Sequence, residues 1–301
     1  MSCFNCVSIC CIHPHLSKYL TDIQGTDFPD FHSFKIGHIS LPGIIPSLTY
    51  AWDAEKPYPF EWVAIGINSI YGEKGIKIEH LKNLHERFRL PKETNIILVN
   101  HGYDYYIEDY WRYADNKGYI EALAHSNLKL ATGFNYSLFD FHSRMSHLIS
   151  LKKTLITTKE LLNSGLYTIP HLYWKTKKDI ERWIIFLKTN NIHMASVNFT
   201  YKKNLKDFIR TANDIISINN SAKKDMQWLA VGVSQFDKVK YLSKNLSKVN
   251  IIASKIRLAA KSRRILTKKG EKHIPELTQY DAFMHNYYFL KKAWEKGNEM
   301  R

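Results

Sequence analysis

Beyond residue 11 the 301-residue sequence has no cysteine, its four being Cys3, Cys6, Cys10 and Cys11. No disulfide can staple the body of such a fold, which fits a reducing compartment. Also missing is any run of roughly 18 uninterrupted apolar residues, the length a membrane span needs. The first residues lack the basic-then-apolar order of a secretory signal. These absences set the expectation of a cytoplasmic protein with no membrane partner. Low-complexity tracts and obvious linkers are absent too.

Acid is scarce in only one half of the chain. Residues 1–140 hold 12 Lys/Arg against 16 Asp/Glu, while residues 141–301 hold 31 against 12, so the whole surplus of +15 comes from the second half. A lopsided field of this kind gathers polyanions on one side of a molecule, and nucleic acid, DNA or RNA, is the usual polyanion. A Lys-rich proteome or general solubility is the alternative explanation of the charge, and the asymmetry argues against it. With 45% hydrophobic and 13% aromatic residues, one large domain can bury a core without metals.

From Trp62 onward, short apolar runs alternate with longer amphipathic segments. The runs are Trp62–Ile67, Ile96–Val99, Leu128–Phe134, Tyr167–Tyr173, Met194–Phe199, Trp228–Val233 and Val249–Ala253. Their spacing of about thirty residues is that of a βα unit. Most lack polar alternation, as suits parallel strands covered on both faces. Between them, Thr176 with Asp179, Asn204 with Asp207, and Ser234 with Asp237 read as helix starts, and Thr157 with Glu160 as a further start ending near Gly165. Residues 277–297 read as a closing helix. Ile44–Tyr50 makes an eighth strand despite Pro46, so a (β/α)8 TIM-barrel-like fold is expected, with an open doubly wound parallel sheet as the alternative. Residues 1–60 read as an irregular Cys/His-rich cap, and residues 61–301 as the βα-repeat domain with a basic C-terminal half.

In either architecture function collects where strands end. Asp104 and Asp140 follow adjacent strands among aromatics that desolvate a carboxyl, which suits a nucleophile or general base; each also suits a helix cap. Asn135 and His171 lie at neighbouring strand ends, His171 as an acid/base or as a hydrogen-bonded loop residue. Gly232 and Ser234, opening a late helix, make a phosphate seat of glycine, free N–H groups and a positive helix end. The aromatics of His101–Tyr113 can stack bases, or pack as one helical face. The window Arg257–Lys272 holds seven cations against one acid. Read as a helix, it aligns Arg257, Lys261, Arg264 and Lys268 on one face toward phosphates, with Lys255 and Arg263 beside them. Cys3, Cys6, Cys10 and Cys11, with His13 and His15, offer ligands for zinc or an iron–sulfur cluster; chance clustering is the other reading.

Val99-Asn-His-Gly102, Gly133–Leu138, Ile169–Trp174 and Val231–Ser234, with the N-terminal cysteines, resemble a family of basic proteins of unknown function from plasmids, phages and mobile elements. That resemblance spans most of the chain and implies no reaction. More remotely, Leu229–Val233 is similar to the transglycosylase barrels that exchange guanine for a deazapurine in tRNA or DNA, but the chain lacks that family's zinc cysteines on the C-terminal side. The expectation is therefore a nucleic-acid-acting barrel enzyme, with base exchange or DNA modification as the named chemistry. A non-enzymatic nucleic-acid-binding factor of a mobile element is the competing class. A metal-dependent nuclease is a third, though no paired carboxylate motif of that kind stands out.

Overall fold

All eight apolar runs form strands. In a computed structural model that describes residues 20–72, 75–139, 141–222 and 225–301, they are β1 (Ile44–Leu48), β2 (Trp62–Gly66), β3 (Asn95–Val99), β4 (Leu128–Thr132), β5 (Thr168–Ile169), β6 (Met194–Asn198), β7 (Gln227–Val231) and β8 (Lys248–Ala253). The order across the sheet is β5-β4-β3-β2-β1-β8-β7-β6, and every ladder is parallel. The two outer strands then meet. His171 bridges Ser196, with Leu172 N donating to Ser196 O at 2.8 Å and Ser196 N donating to Pro170 O at 2.9 Å. This contact closes the sheet into a (β/α)8 barrel and rules out the open doubly wound alternative. Strand β5 is short because Pro170 has no N–H to give, and pairing resumes one residue later.

The helices are α1 (Ile78–Leu81), α2 (Leu84–Phe88), α3 (Asp104–Tyr113), α4 (Tyr119–Ala124), α5 (Arg144–Asn163), α6 (Lys177–Thr189), α7 (Leu205–Ala222), α8 (Phe236–Asn245), α9 (Lys255–Lys261) and α10 (Gln279–Asn298). Among the described residues, none is long and apolar enough to cross a membrane. The segment between β1 and β2 forms no helix. Its Trp52 and Phe60 instead meet α10, at 4.7 Å from Phe283 and 4.0 Å from Tyr287. The closing helix thus covers the flank that the first unit leaves open.

The barrel begins at Ile44, inside the segment expected to be an irregular cap. Residues just before it close the N-terminal end of the barrel. Ile36 bridges Ile192. Gln227 accepts from Ile39 N at 2.9 Å and donates to Ile39 O and to Asn250 Oδ1, both at 2.8 Å, while Asn250 donates to Leu41 O at 3.0 Å. Buried side-chain amides on two strands thereby satisfy an extended segment that has no sheet of its own.

Two expected helix starts differ. Thr157 and Glu160 lie inside α5, which is capped by Ser143, whose hydroxyl accepts from Ser146 N. Ser234 does not cap α8; the capping position is Gln235, with no side-chain bond. Asn204 does accept from Asp207 N, at 2.8 Å. Thr176 and Asp179 form the full capping box.

Asp179 has a second task. Its fully buried carboxylate pairs with Arg144 of α5 and accepts from Lys175 N and Thr176 N at 3.1 and 3.0 Å. Burial pushes its pKa up, but the Arg144 and backbone bonds outweigh that and hold it below the usual carboxylate range. Asp179→Asn should lower stability by about 3 kcal/mol at neutral pH, because it leaves Arg144 without its counter-charge. A folded pKa below the unfolded value means that the contribution is present above about pH 4 and is lost as the pH falls through the folded value. Urea midpoints of the two proteins should therefore converge in acid. A gap that persists there would assign the loss to something other than the ion pair.

Candidate functional site

The C-terminal ends of the strands open on one mouth. At the end of β3, Asn100 N donates to Thr132 Oγ1 at 2.9 Å and Asn100 Nδ2 to Thr132 O at 2.7 Å, while Asn135 N donates to Asn100 O at 3.1 Å. These bonds fix the ends of β3 and β4 side by side. His101 follows, and its ring centroid lies 3.9 Å from that of His171 at the end of β5. Both ring nitrogens of His101 are enclosed without a hydrogen-bond partner. His171 is buried, and its Nδ1 lies 3.1 Å from Ser196 Oγ. A Cβ on Gly133 would sit 2.5 Å from Thr158 Oγ1 and 3.1 Å from His171 N, so glycine is what lets β4 approach this closely.

Burial lowers the pKa of His101 to about 3. For His171 burial is again the main cause, with His101 adding to it and the Ser196 bond opposing, and the value falls well below the usual imidazole range. Both rings are therefore neutral at pH 7.

Beside His171 lies a cavity of about 380 Å³, lined by residues that include Asn135, Ser137, Trp174, Lys175, Asn198 and Lys202. The Trp174 indole N–H donates to Asp214 at 2.8 Å, and Asn198 accepts from Thr200 N at 2.8 Å. Burial, then the charges of Lys202 and Arg210, lower the Lys175 pKa. A second cavity, of about 320 Å³, lies at the ends of β6, β7 and β8, with Thr200, Lys202, Lys203, Gly232, Ser234 and Lys255 on its walls. The Ser234 hydroxyl is buried and unpartnered. Gly232 has φ +84, and a Cβ there would meet Thr200 Oγ1 at 2.3 Å. Lys238 Nζ donates to the carbonyls of Lys202 and Lys203, each at 2.8 Å, fixing the loop that the two cavities share.

Of the residues singled out in the sequence, Asn135 and His171 line the larger cavity, and Gly232, Ser234 and Lys255 the smaller. Asp104 is exposed in the first turn of α3, where Ser137 Oγ donates to it. Among the described residues no carboxylate lines either cavity. Asp140 lies outside the described residues, as do Cys3, Cys6, Cys10 and Cys11. Elsewhere, the described residues bring no three His, Cys, Asp or Glu together so as to hold a metal ion.

The basic segment is not one helix. Helix α9 ends at Lys261, Arg263 takes φ +51, and the chain turns into an antiparallel hairpin pairing Arg264–Thr267 with Gly270–His273. Arg257, Lys261, Arg264 and Lys268 consequently share no helical face. Arg257 is only 4% exposed; it pairs with Asp53, donates to Gln279 at 3.1 Å and lies 5.0 Å over the Trp52 ring. It is a packing residue and not a phosphate contact. Glu271 bonds Lys255 at 2.8 Å and lies 3.6 Å from Arg264, and Arg263 donates to Pro275 O at 3.1 Å. Lys261 and Lys268 are exposed, over the rings of Tyr50 and Phe236. The aromatic run after β3 divides in the same way. Tyr110 is buried and stacks on Phe134 at 3.9 Å, whereas Tyr103 and Tyr105 face solvent.

No family model and no curated protein sequence matches the chain. Among solved structures, the tryptophan synthase alpha chain of Legionella pneumophila subsp. pneumophila aligns at 13% identity and TM-score 0.46, covering 95% of this chain and 97% of that one. The tryptophan synthase subunit alpha of Legionella pneumophila str. Paris aligns at the same identity and TM-score, over 95% and 98%. A structure described as native KDPGal aligns at 10% identity and TM-score 0.46, over 88% and 100%. The barrel itself rests on the strand order and the closure given above.

The two histidines, with their enclosed rings, make stability depend on pH. A folded pKa near 3 against an ordinary 6.5 means that the unfolded chain binds the extra proton in between. Stability should be full above about pH 6.5 and fall in acid by about 1.4 kcal/mol per pH unit for His101. Urea midpoints at pH 7, 6 and 5 measure this, as rough steps across the window. His101→Leu should flatten the slope, and an unchanged slope would mean that His101 is not held neutral.

Proposed function

We propose that the chain is a barrel enzyme acting on nucleic acid, taking one nucleotide of the polymer into the mouth. The observation that supports this most is the pairing of two cavities at Lys202, one carrying His171 and amides, the other lysines and an unsatisfied hydroxyl. The larger lies within the range of about 300–1,000 Å³ usual for small-molecule sites. Asn135 and Asn198 there suit the polar edge of a base, and Trp174 its face. In the smaller, Ser234 and the lysines suit a phosphate. A neutral His171 donates or accepts a hydrogen bond at the base without adding charge.

Base exchange or modification of the transglycosylase type is the reaction in view, in which a carboxylate takes the sugar carbon as the base leaves. Asp104, which stands outside the cavity and is bonded to the cavity residue Ser137, and Asp140 are the carboxylates proposed for that part, with the base in the cavity and its sugar at the rim. Protein incubated with DNA or RNA, followed by digestion to nucleosides and mass spectrometry, should reveal a changed nucleoside. Asp104→Asn and His171→Gln should lower turnover about a hundredfold or more while affinity stays within about threefold. Unchanged nucleosides, or variants as active as the wild type, would remove the enzymatic reading.

The basic contribution can be tested apart from turnover. Replacing Lys202, Lys203, Lys255 and Lys261 by Gln should make log affinity less steep in log salt, by roughly 0.7 to 0.9 for each phosphate that the variant no longer neutralises. Replacing Lys77, Lys82, Arg87 and Lys92, in the acidic half, should change it much less. Equal effects in the two quadruple variants would take phosphate binding away from the mouth.

A further inference from the structure

The rim around the cavities carries side chains that the proposed reaction does not use. Tyr50 follows β1, Tyr103 and Tyr105 follow β3, Phe139 and Phe141 follow β4, and Tyr201 follows β6, each between 39% and 82% exposed. Single exposed aromatics are ordinary, but a set drawn from four loops at one end of a barrel marks a contact surface. They come partly as near-parallel pairs. The rings of Tyr103 and Tyr105 lie 5.8 Å apart and 10° from parallel, and those of Phe139 and Phe141 5.3 Å apart and 16° from parallel. The Ser137–Asp104 bond ties these two loops together. Phe139 and Tyr201 also line the larger cavity, so the rim leads into it. Lys261 stands 4.6 Å over the Tyr50 ring, and Lys202 lies on the cavity wall.

We infer that this rim is a stacking platform for the unpaired bases that flank the target nucleotide, so that the substrate is a single strand and not a duplex. The inference rests on the nucleic-acid reading above. In a duplex each base face is covered by its neighbours and only phosphates and groove edges are on offer, whereas an unpaired strand presents its faces to aromatic rings. Lysines on one side of the mouth complement the backbone of such a strand. A lipid surface is the less suitable occupant, since Asp104, an exposed carboxylate, stands between Tyr103 and Tyr105 and would have to enter the headgroup layer.

Fluorescence anisotropy with labelled single strands of on the order of 12 nucleotides, DNA and RNA, and with a duplex of the same length, tests this. At about 0.1 M salt the wild type should bind single strands about tenfold or more tighter than duplex. Tyr103→Ala with Tyr105→Ala, and Phe139→Ala with Phe141→Ala, should each weaken single-strand binding by about tenfold or more and leave duplex binding unchanged. Tyr103→Phe with Tyr105→Phe should retain it, because the ring face is kept. Urea midpoints equal to the wild type confirm that the variants are folded. Equal binding of strand and duplex, unmoved by the alanine pairs, overturns the platform but leaves the nucleic-acid reading standing. If the wild type binds no nucleic acid, both fall. Sedimentation with phosphatidylserine vesicles that the alanine pairs abolish would give the rim to a membrane surface instead.

Discussion

The contact between β5 and β6 is the constraint on which the rest of the structure depends. It consists of two backbone hydrogen bonds around Ser196, and the residue between them is His171. Without that contact the sheet would have two open edges, and the larger cavity, whose walls come from the ends of both β5 and β6, would lie open between them. Its register matters as much as its existence, since a one-residue slip reverses which side chains face the barrel. Such a slip would exchange His171 for Pro170 or Leu172 and dissolve the pair with His101. Pro170 helps to fix the register, because it can accept from Ser196 N but cannot donate in turn.

The histidine pair is a local cost that the surrounding structure carries. Two neutral imidazoles in contact, one with both nitrogens unpaired, forgo hydrogen bonds that water would supply. What holds them is packed and bonded on every side. Asn100 and Thr132 lock the ends of β3 and β4, Gly133 admits His171, and Asp179 anchors the start of α6 just after Trp174 and Lys175. Unsatisfied groups kept in place by satisfied ones are the pattern expected of a site, where local rules give way to chemistry.

Most of this fold was legible because each strand is a short apolar run at βα spacing, and even Pro46 did not hide β1. Closure was not legible, since it depends on a two-residue strand whose pairing continues past a proline. The site was legible in part. His171, Asn135, Ser234 and Gly232 lie where strand-end reasoning puts them. Asp104 carries no sign in the sequence that its carboxylate faces Ser137 in solvent and not the cavity. Lys238 was missed, because a lysine in the first turn of a helix gives no hint that it holds two loop carbonyls. The basic segment misled for a definite reason: its i, i+4, i+7, i+11 spacing continues on paper, while the chain turns at Arg263, a left-handed position filled by neither glycine nor asparagine.

That segment also changes what the charge asymmetry means. Arg257 is neutralised by Asp53, and Lys153 donates to Glu108 at 2.7 Å, so cations of the basic half are matched by acids of the other half within the folded barrel. Arg144 is taken up by Asp179, and Lys238 by two carbonyls. A difference in charge between the halves of a sequence is therefore partly an account of which residues meet across the barrel, and not a map of two outer faces. The cations at the mouth are fewer: Lys202 and Lys203 after β6, and Lys261 over the Tyr50 ring. A closed barrel brings those positions to the same end as His171 and the exposed aromatics, so the field that a ligand of the mouth meets is set by where these few lysines stand and not by the net charge of the sequence.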